Sequence, residues 1–502
     1  MPLQEIYKSD FPGSKWEAVY RHYRQLAAWY SGDPEQLAHV YAEMMPNTPG
    51  GMFWGKIERE TRRTMLHIPL ASDIARISAT LLFSEPPKIK IAEAHQENAP
   101  ADAKRLQEWL DEMIHSIGFM DRLTSGAETC AAMGGVVPQI GWDPELSEYP
   151  IIEFSQADAA IPVWSMGMLR GIMFFRALEE QALEEQEQEG TTSTVWRHVQ
   201  LHEPGWIYNG LYKGTQDVIG MRHQLTEKAE TAALQEAINT GIEGLAALYV
   251  PNMLPNRRFR AHGWPIGYAD IDGAEGMLDA LDEAYTNWWR DIRLGRGRIL
   301  VNEQYTTVDT SGKKIFDIDQ EVYQALAMSP GDTTPGITPV QFAIRTEEHK
   351  QACEEMLGRI VSHAGYSPQT FGLKIEGRTD SGYSLDVQER LTFLTAGQKA
   401  GTWKNALESM LYKAILIANT QMRAGLPTEY RPTVEMQDSV RFNLDQVARS
   451  VSLLRAAEVI SIETGVMMTH PDWTKDQVDA EVKRITAEKA AGLPDPMQTG
   501  QV

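Results

Sequence analysis

The stretch "GAEGMLDALDEAYTNWWRDIRLGRGRIL" (273–300) changes its hydrophobic period part-way along, and that change decides how the chain is built. Up to about residue 294 it reads as a helix. Met277, Leu278, Leu281, Tyr285, Trp288, Trp289 and Ile292 share one side at ~100° per residue. Glu275, Asp279 and Asp282 fall together on another face, with Glu283 at its margin. Acids lead and Arg290, Arg293 and Arg296 trail, the order that complements a helix dipole. At about 1.5 Å per residue the helix spans ~30 Å. Beyond it the period becomes two. "RILVNEQYTTVD", Ser311-Gly312 and "KKIFDIDQEVYQAL" predict a β-hairpin, and "VQFAI" (340–344) a third strand. A second helix is predicted over 346–364, with Cys353, Met356, Leu357, Ile360 and Val361 inward. Two helices of matching length thus flank a β-rich insertion, which predicts an antiparallel pair with a small β module at its tip.

Working outward, the N-terminal part predicts an α+β domain. Helical spacing covers 15–30, and Asp33-Pro34 opens a second helix with Asp as N-cap. Further helices are expected at 69–83, 102–117 and 119–133, with a strand at "KIKI" (88–91). After Gly134-Gly135 short strands dominate: "VVPQIGW", "YPIIEF", "MLRGIMFFRAL", "VWRHVQLHE" and "WIYNGLYKG". The glutamate-rich run 178–190 reads as a solvated excursion. The Pro- and Gly-rich segment 249–273 reads as a linker carrying Arg257, Arg258 and Arg260; pairing with the acidic body and a phosphate site both stay open. On the C-terminal side, Ser384 is the expected N-cap of a helix over 384–422, ~60 Å long. Its Gly397 and Gly401 mark a kink or a close helix contact. Helical segments at 443–463 and 473–490 precede a disordered tail.

Composition narrows the function classes. The 502 residues carry a net charge of −22 and are 42% apolar, enough for real cores but opposed to simple nucleic-acid binding. No apolar run of about 18 residues suggests a membrane span, and the N-terminus does not read as a signal peptide. The two cysteines, Cys130 and Cys353, read as buried thiols of a reducing compartment. Gly372–Thr379 reads G-x-x-x-x-G-R-T, one residue away from a phosphate-cradling loop. Such a loop needs an apolar strand before it, a Lys toward the phosphates and a helix starting at its hydroxyl residue. "HAGYSPQTF" is a poor strand, Arg378 replaces the Lys, and "TDSGYS" delays the helix. Neither H-E-x-x-H, nor G-x-S-x-G, nor a zinc-ligand spacing occurs, so no catalytic, metal or cofactor residue is assigned. His67 and His349 read as structural or exposed.

A long acidic chain with a β-tipped helical stalk and no catalytic kit points to an assembly component. It resembles the portal proteins of tailed bacteriophages over nearly its whole length. The resemblance rests on "HIPLASDIARISATLLFSEPPKI" (67–89), "YVPNMLPNRRFR" (249–260), "YADIDGAEGMLDALDEAYTNWWRDIRLGRGRIL" (268–300) and "GRTDSGYSLDVQERLTFLTAGQKAGTWKNAL" (377–407), in that order. It implies an α+β, mainly helical protomer with wing, helical stem, β-rich clip and helical crown. The wing would be 1–268 with the long helix and its return, 384–450. The stem would be 269–296 and 344–364, the clip 297–343, the tunnel loop 365–383 and the crown 451–490, with 491–502 as the tail. The family forms a ring, typically of about twelve subunits, at one capsid vertex. It conducts double-stranded DNA at packaging and ejection and docks the terminase large subunit and a head-tail adaptor, among major capsid and scaffold proteins. The resemblance implies a virion location after assembly in the bacterial cytoplasm, no membrane, no cofactor and no enzymatic activity. Glu275, Asp279 and Asp282 would line the channel with like charge so that DNA slides, and Lys374 and Arg378 would touch it from the loop. The same acids would equally serve as a solvated outer face or as subunit-interface partners. Two other classes stay open: a non-conducting capsid or baseplate protein, and an ATPase using 372–379.

Overall fold

Asp33 shows how closely local chemistry sets the N-terminal elements. Its Oδ1 accepts the backbone N–H groups of Glu35 and Gln36, both at 2.9 Å, and caps the second helix. The computed structural model describes residues 13–44, 65–178, 194–294, 345–373 and 382–491, apart from short breaks at 14, 97–98, 216–217, 437–443, 471–472 and 474; between 298 and 340 it describes four short strands. The fold is α+β and mainly helical. Its N-terminal helices are α1 (Glu17–Ser31), α2 (Pro34–Met44), α3 (Leu70–Phe83), α4 (Ala101–Ser116) and α5 (Phe119–Met133). Val19, Tyr23 and Leu26 of α1, on the apolar face that helical spacing gives, are buried together with Trp29 of the same helix, Leu37 and Tyr41 of α2 and Ile74 of α3.

The strands follow in a meander. β1 (Lys88–Ile91) pairs with β15 (Pro432–Glu435). β2 (Gly135–Gly141), β3 (Ile151–Gln156) and β10 (Val250–Pro251) form a three-stranded antiparallel sheet. β4 (Ala160–Ser165), β5 (Met168–Ala177), β6 (Val195–Glu203), β7 (Trp206–Gly214) and β8 (Met221–His223) lie in that order in a larger antiparallel sheet, with β9 (Ala237–Asn239) also on β7. β6 and β7 are a tight hairpin, Val195 opposite Gly214 and Glu203 opposite Trp206. β4 was not legible: "AIPVWS" contains Pro162, which fits a strand only because β4 pairs with β5 alone, at the end of the sheet. The glutamate-rich run lies outside the described residues after Leu178.

The stalk is present. α6 (Glu275–Leu294) and α7 (Thr346–His363) pack antiparallel. Asp291 bonds His349 at 2.9 Å and Arg345 at 3.2 Å at one end, and His363 Nε2 bonds the Asp272 carbonyl at 2.9 Å at the other. Leu278, Leu281, Cys353, Ile360 and Val361 are buried between them and the N-terminal helices. Both cysteines are buried and free. In the insertion, β12 (Thr307–Val308) and β13 (Lys314–Ile315) form the hairpin across Ser311-Gly312. β11 (Arg298–Val301) pairs with β14 (Ile337–Val340), so the returning strand comes just before the expected 340–344.

α8 (Gly382–Gln421) is the expected long helix, but it begins ahead of Ser384, which is therefore inside it rather than its cap. Trp403, Leu407, Met410, Leu411, Ala414, Ile415, Ile417 and Ala418 are all buried, so its second half buries one broad face, with most of the remaining positions half-buried.

Two compact units result, Met1–Leu82 with Ile89–Val434, and Phe83–Lys88 with Glu435–Val502. The second contains α9 (Leu444–Ala456), α10 (Ile462–Thr469) and α11 (Lys475–Ala491). The single helix expected over 443–463 is thus two: the chain turns at Glu458, φ 57°, and Ser461 caps α10 by accepting the Thr464 N–H at 3.0 Å. Among the described residues no helix is long and apolar enough to cross a membrane.

Candidate functional site: the stem and the root of the 365–383 segment

The acidic face of α6 turns inward at two of its three positions. Asp282 is 1% exposed and accepts hydrogen bonds from Tyr41 Oη at 2.7 Å and the Ile68 N–H at 2.9 Å, with His67 Nδ1 also at 2.9 Å. Burial, reinforced by the Asp282 carboxylate, pushes the Tyr41 hydroxyl pKa far up. Glu275 is buried at the helix start, bonded to the Arg258 guanidinium and the Gly273 N–H. Neither carboxylate can therefore line a channel. The physical reason is that α2, the segment at 65–68 and Arg258 with the Gly273 N–H supply donors to this face, so its charge is spent inside the protomer. Asp279 is half-buried between them and is the one acid of the three with appreciable exposed surface. His67 and His349 are structural, as read: His349 stacks on Trp288 and, with Arg345, holds the Asp291 carboxyl below its usual range.

Sequence reasoning missed the best-built polar cluster. Lys399 of α8 is 1% exposed, and its Nζ donates to both Asp270 oxygens at 2.6 and 2.7 Å, to Ser78 Oγ at 2.7 Å and to Tyr366 Oη at 2.9 Å. Tyr366 and Asn252 donate to the same carboxylate. Asp270 is aimed there by a close backbone crossing: Gly134, at φ +80°, lies so near that a Cβ would meet the Ala269 nitrogen at 2.9 Å. Thr395 and Thr392, one and two turns before Lys399, continue the seam. Thr395 donates to the Gly365 carbonyl at 2.7 Å, and Thr392 accepts the Ser367 N–H at 2.8 Å. The segment that follows α7 is thus seated on α8 through at least Thr370, which bonds Thr392.

This seating bears on the near-phosphate-loop. What leads toward Gly372 is α7 and a 3-10 turn, Pro368–Phe371, rather than a strand. Lys374 and Arg378 lie outside the described residues. A group that could hold a metal is His22, Asp272 and Glu275, whose ligand atoms lie within 4.8 Å of one another. Arg258 already supplies the cation: it pairs with Glu275 and reaches Asp272 at 3.9 Å. For Arg258, pairing with the acidic body is therefore the outcome. Arg257 and Arg260 are exposed beside it, and Arg257 helps line a cleft of about 250 Å³ with Asp272 and His363.

The family model "Phage portal protein, SPP1 Gp6-like" matches residues 14–494. The chain belongs to this portal protein family. No curated protein sequence matches it. Among solved structures, a chain in the neck of an empty gene transfer agent (GTA) particle, computed with C6 symmetry, is 11% identical with a TM-score of 0.44, covering 93% of this portal-family chain and 96% of its own. A chain from the neck of the native GTA particle, computed with C12 symmetry, is 11% identical with a TM-score of 0.41, covering 80% and 89%. One from the virion of the native particle is 11% identical with a TM-score of 0.40, covering 80% and 88%.

Proposed function

We propose that this portal-family chain is the protomer of a closed ring at one vertex of a phage-like capsid, and that the ring's channel conducts double-stranded DNA during packaging and ejection. The observation that carries the reading is the antiparallel pair α6 and α7 with a β module between them, in a chain that matches the portal family from 14 to 494. The stem is assigned to α6 and α7, the clip to the strands between them, and the wing to the N-terminal α+β part with α8. The crown is assigned to α9–α11. The clip is the docking site for the terminase large subunit and the head-tail adaptor, and capsid and scaffold proteins surround the wing. The chain itself supplies no ATP hydrolysis; that belongs to the terminase. The virion is its location, after assembly in the host cytoplasm. Of the stem acids, Asp279 stands for the channel wall, where like charge keeps phosphates from binding. Cryo-electron microscopy of the assembled chain tests this reading. A closed ring with an open channel and Asp279 on its wall is the expected result; a ring without a channel would instead support a non-conducting capsid or baseplate role.

A further inference from the structure

The end of the α6–α7 pair next to the β insertion carries charge that pairs with none of the described residues. On α6, Trp288 faces His349 of α7, while Arg290 and Arg293 lie about 140–200° round the helix from it. Both are exposed, and neither makes an ion pair with any described residue. Trp289, between them and the α7 side, is 50% exposed, and Ile292 is 37% exposed. On α7, Cys353 and Ile360 are buried toward the core, which leaves Glu347 and Glu348 exposed in the first turn. Glu347 meets only Gln351, at 3.4 Å, and Glu348 has no ion-pair partner among the described residues. The Asp291 contacts with Arg345 and His349 fix the height: the arginines and the two glutamates lie at the same level of the stem, on different helices.

We infer that this surface is an interface between copies, in which Arg290 and Arg293 of one protomer meet Glu347 and Glu348 of the next, with Trp289 packed at the centre. The inference rests on the ring reading above. Two properties of the molecule select a second copy as the occupant. A chain of net charge −22 repels its own kind, so association needs a local basic patch aimed at acids. Rotation about a ring axis also moves each residue at constant height. Complementary groups at one level, on different faces of the same stem, then form a head-to-tail contact that closes.

The experiment uses the full chain and two charge reversals, Arg290→Glu with Arg293→Glu, and Glu347→Lys with Glu348→Lys, each checked for unchanged helicity and melting. Neutral Glu347→Gln with Glu348→Gln serves as the milder companion. Native mass spectrometry reads the ring fraction. Each reversal alone should lower it by about tenfold or more, since like charges then face each other. Mixing the two reversed chains one to one should restore rings, with the copies alternating and their number even. Rings from either reversed chain at the native level would overturn the interface while leaving the ring reading intact. Loss that mixing does not repair would overturn it too. If the native chain closes no ring, the portal reading fails first and takes this interface with it.

Discussion

Asp282 and Lys399 show what single residues do here, and why only half of it was readable. That 275, 279 and 282 share a helix face follows from spacing; that α2 and the 65–68 segment cover that face does not, because the donors come from far along the chain. Asp282→Ala should strand the Tyr41 hydroxyl and the Ile68 N–H, costing about 3 kcal/mol in chemical denaturation. Lys399→Met should cost about 3–5 kcal/mol, because it leaves the Asp270 charge buried and unmatched. Adding Asp270→Asn should recover more than half of that loss. An unchanged double mutant would mean that the hydrogen bonds, not the charge, dominate. The sequence did hold a clue. Thr392, Thr395 and Lys399 sit on the stripe that Trp403, Leu407 and Met410 continue as buried apolar residues, so polar side chains there need internal partners. Asp270 and Tyr366 as those partners were beyond its reach.

At the scale of elements, α8 is divided. Its first half binds the 365–371 segment through a polar seam, and its second half buries a broad apolar face. Lys413 lies in that half, partly buried beside the face. Burial lowers its pKa from 10.5 to about 8, and its Nζ has the Ala247 carbonyl at 3.4 Å. Between pH 8 and 10.5 the unfolded chain binds the proton that the folded chain has released, so stability rises with pH across that window. Below pH 8 the folded protein bears the whole cost of the buried charge. Lys413→Met should therefore raise stability at pH 7 by on the order of 2 kcal/mol and flatten the pH dependence above 8, as urea titrations at several pH values would show. The elements themselves were largely legible. Helix and strand periods are local, and Asp33 caps the helix that begins at the next residue. Pro162 hid β4 because a proline strand is allowed only by its place in the sheet. The break at Glu458 was hidden because apolar spacing runs through it.

For the whole molecule, the antiparallel helix pair and the strands between its members followed from one change of period in the sequence. What the sequence could not supply is which stem surface meets what, since the charges of α6 point inward at Glu275 and Asp282 and outward at Arg290 and Arg293. The central claim is that copies of this chain close into a ring. The most direct test is the native mass of the purified full-length chain. The account predicts a discrete closed species of about twelve times the 56.4 kDa chain mass, weakening at high salt as exposed ion pairs are screened. A monomer or dimer that persists at high concentration and low salt, with scaffold protein present, would contradict it.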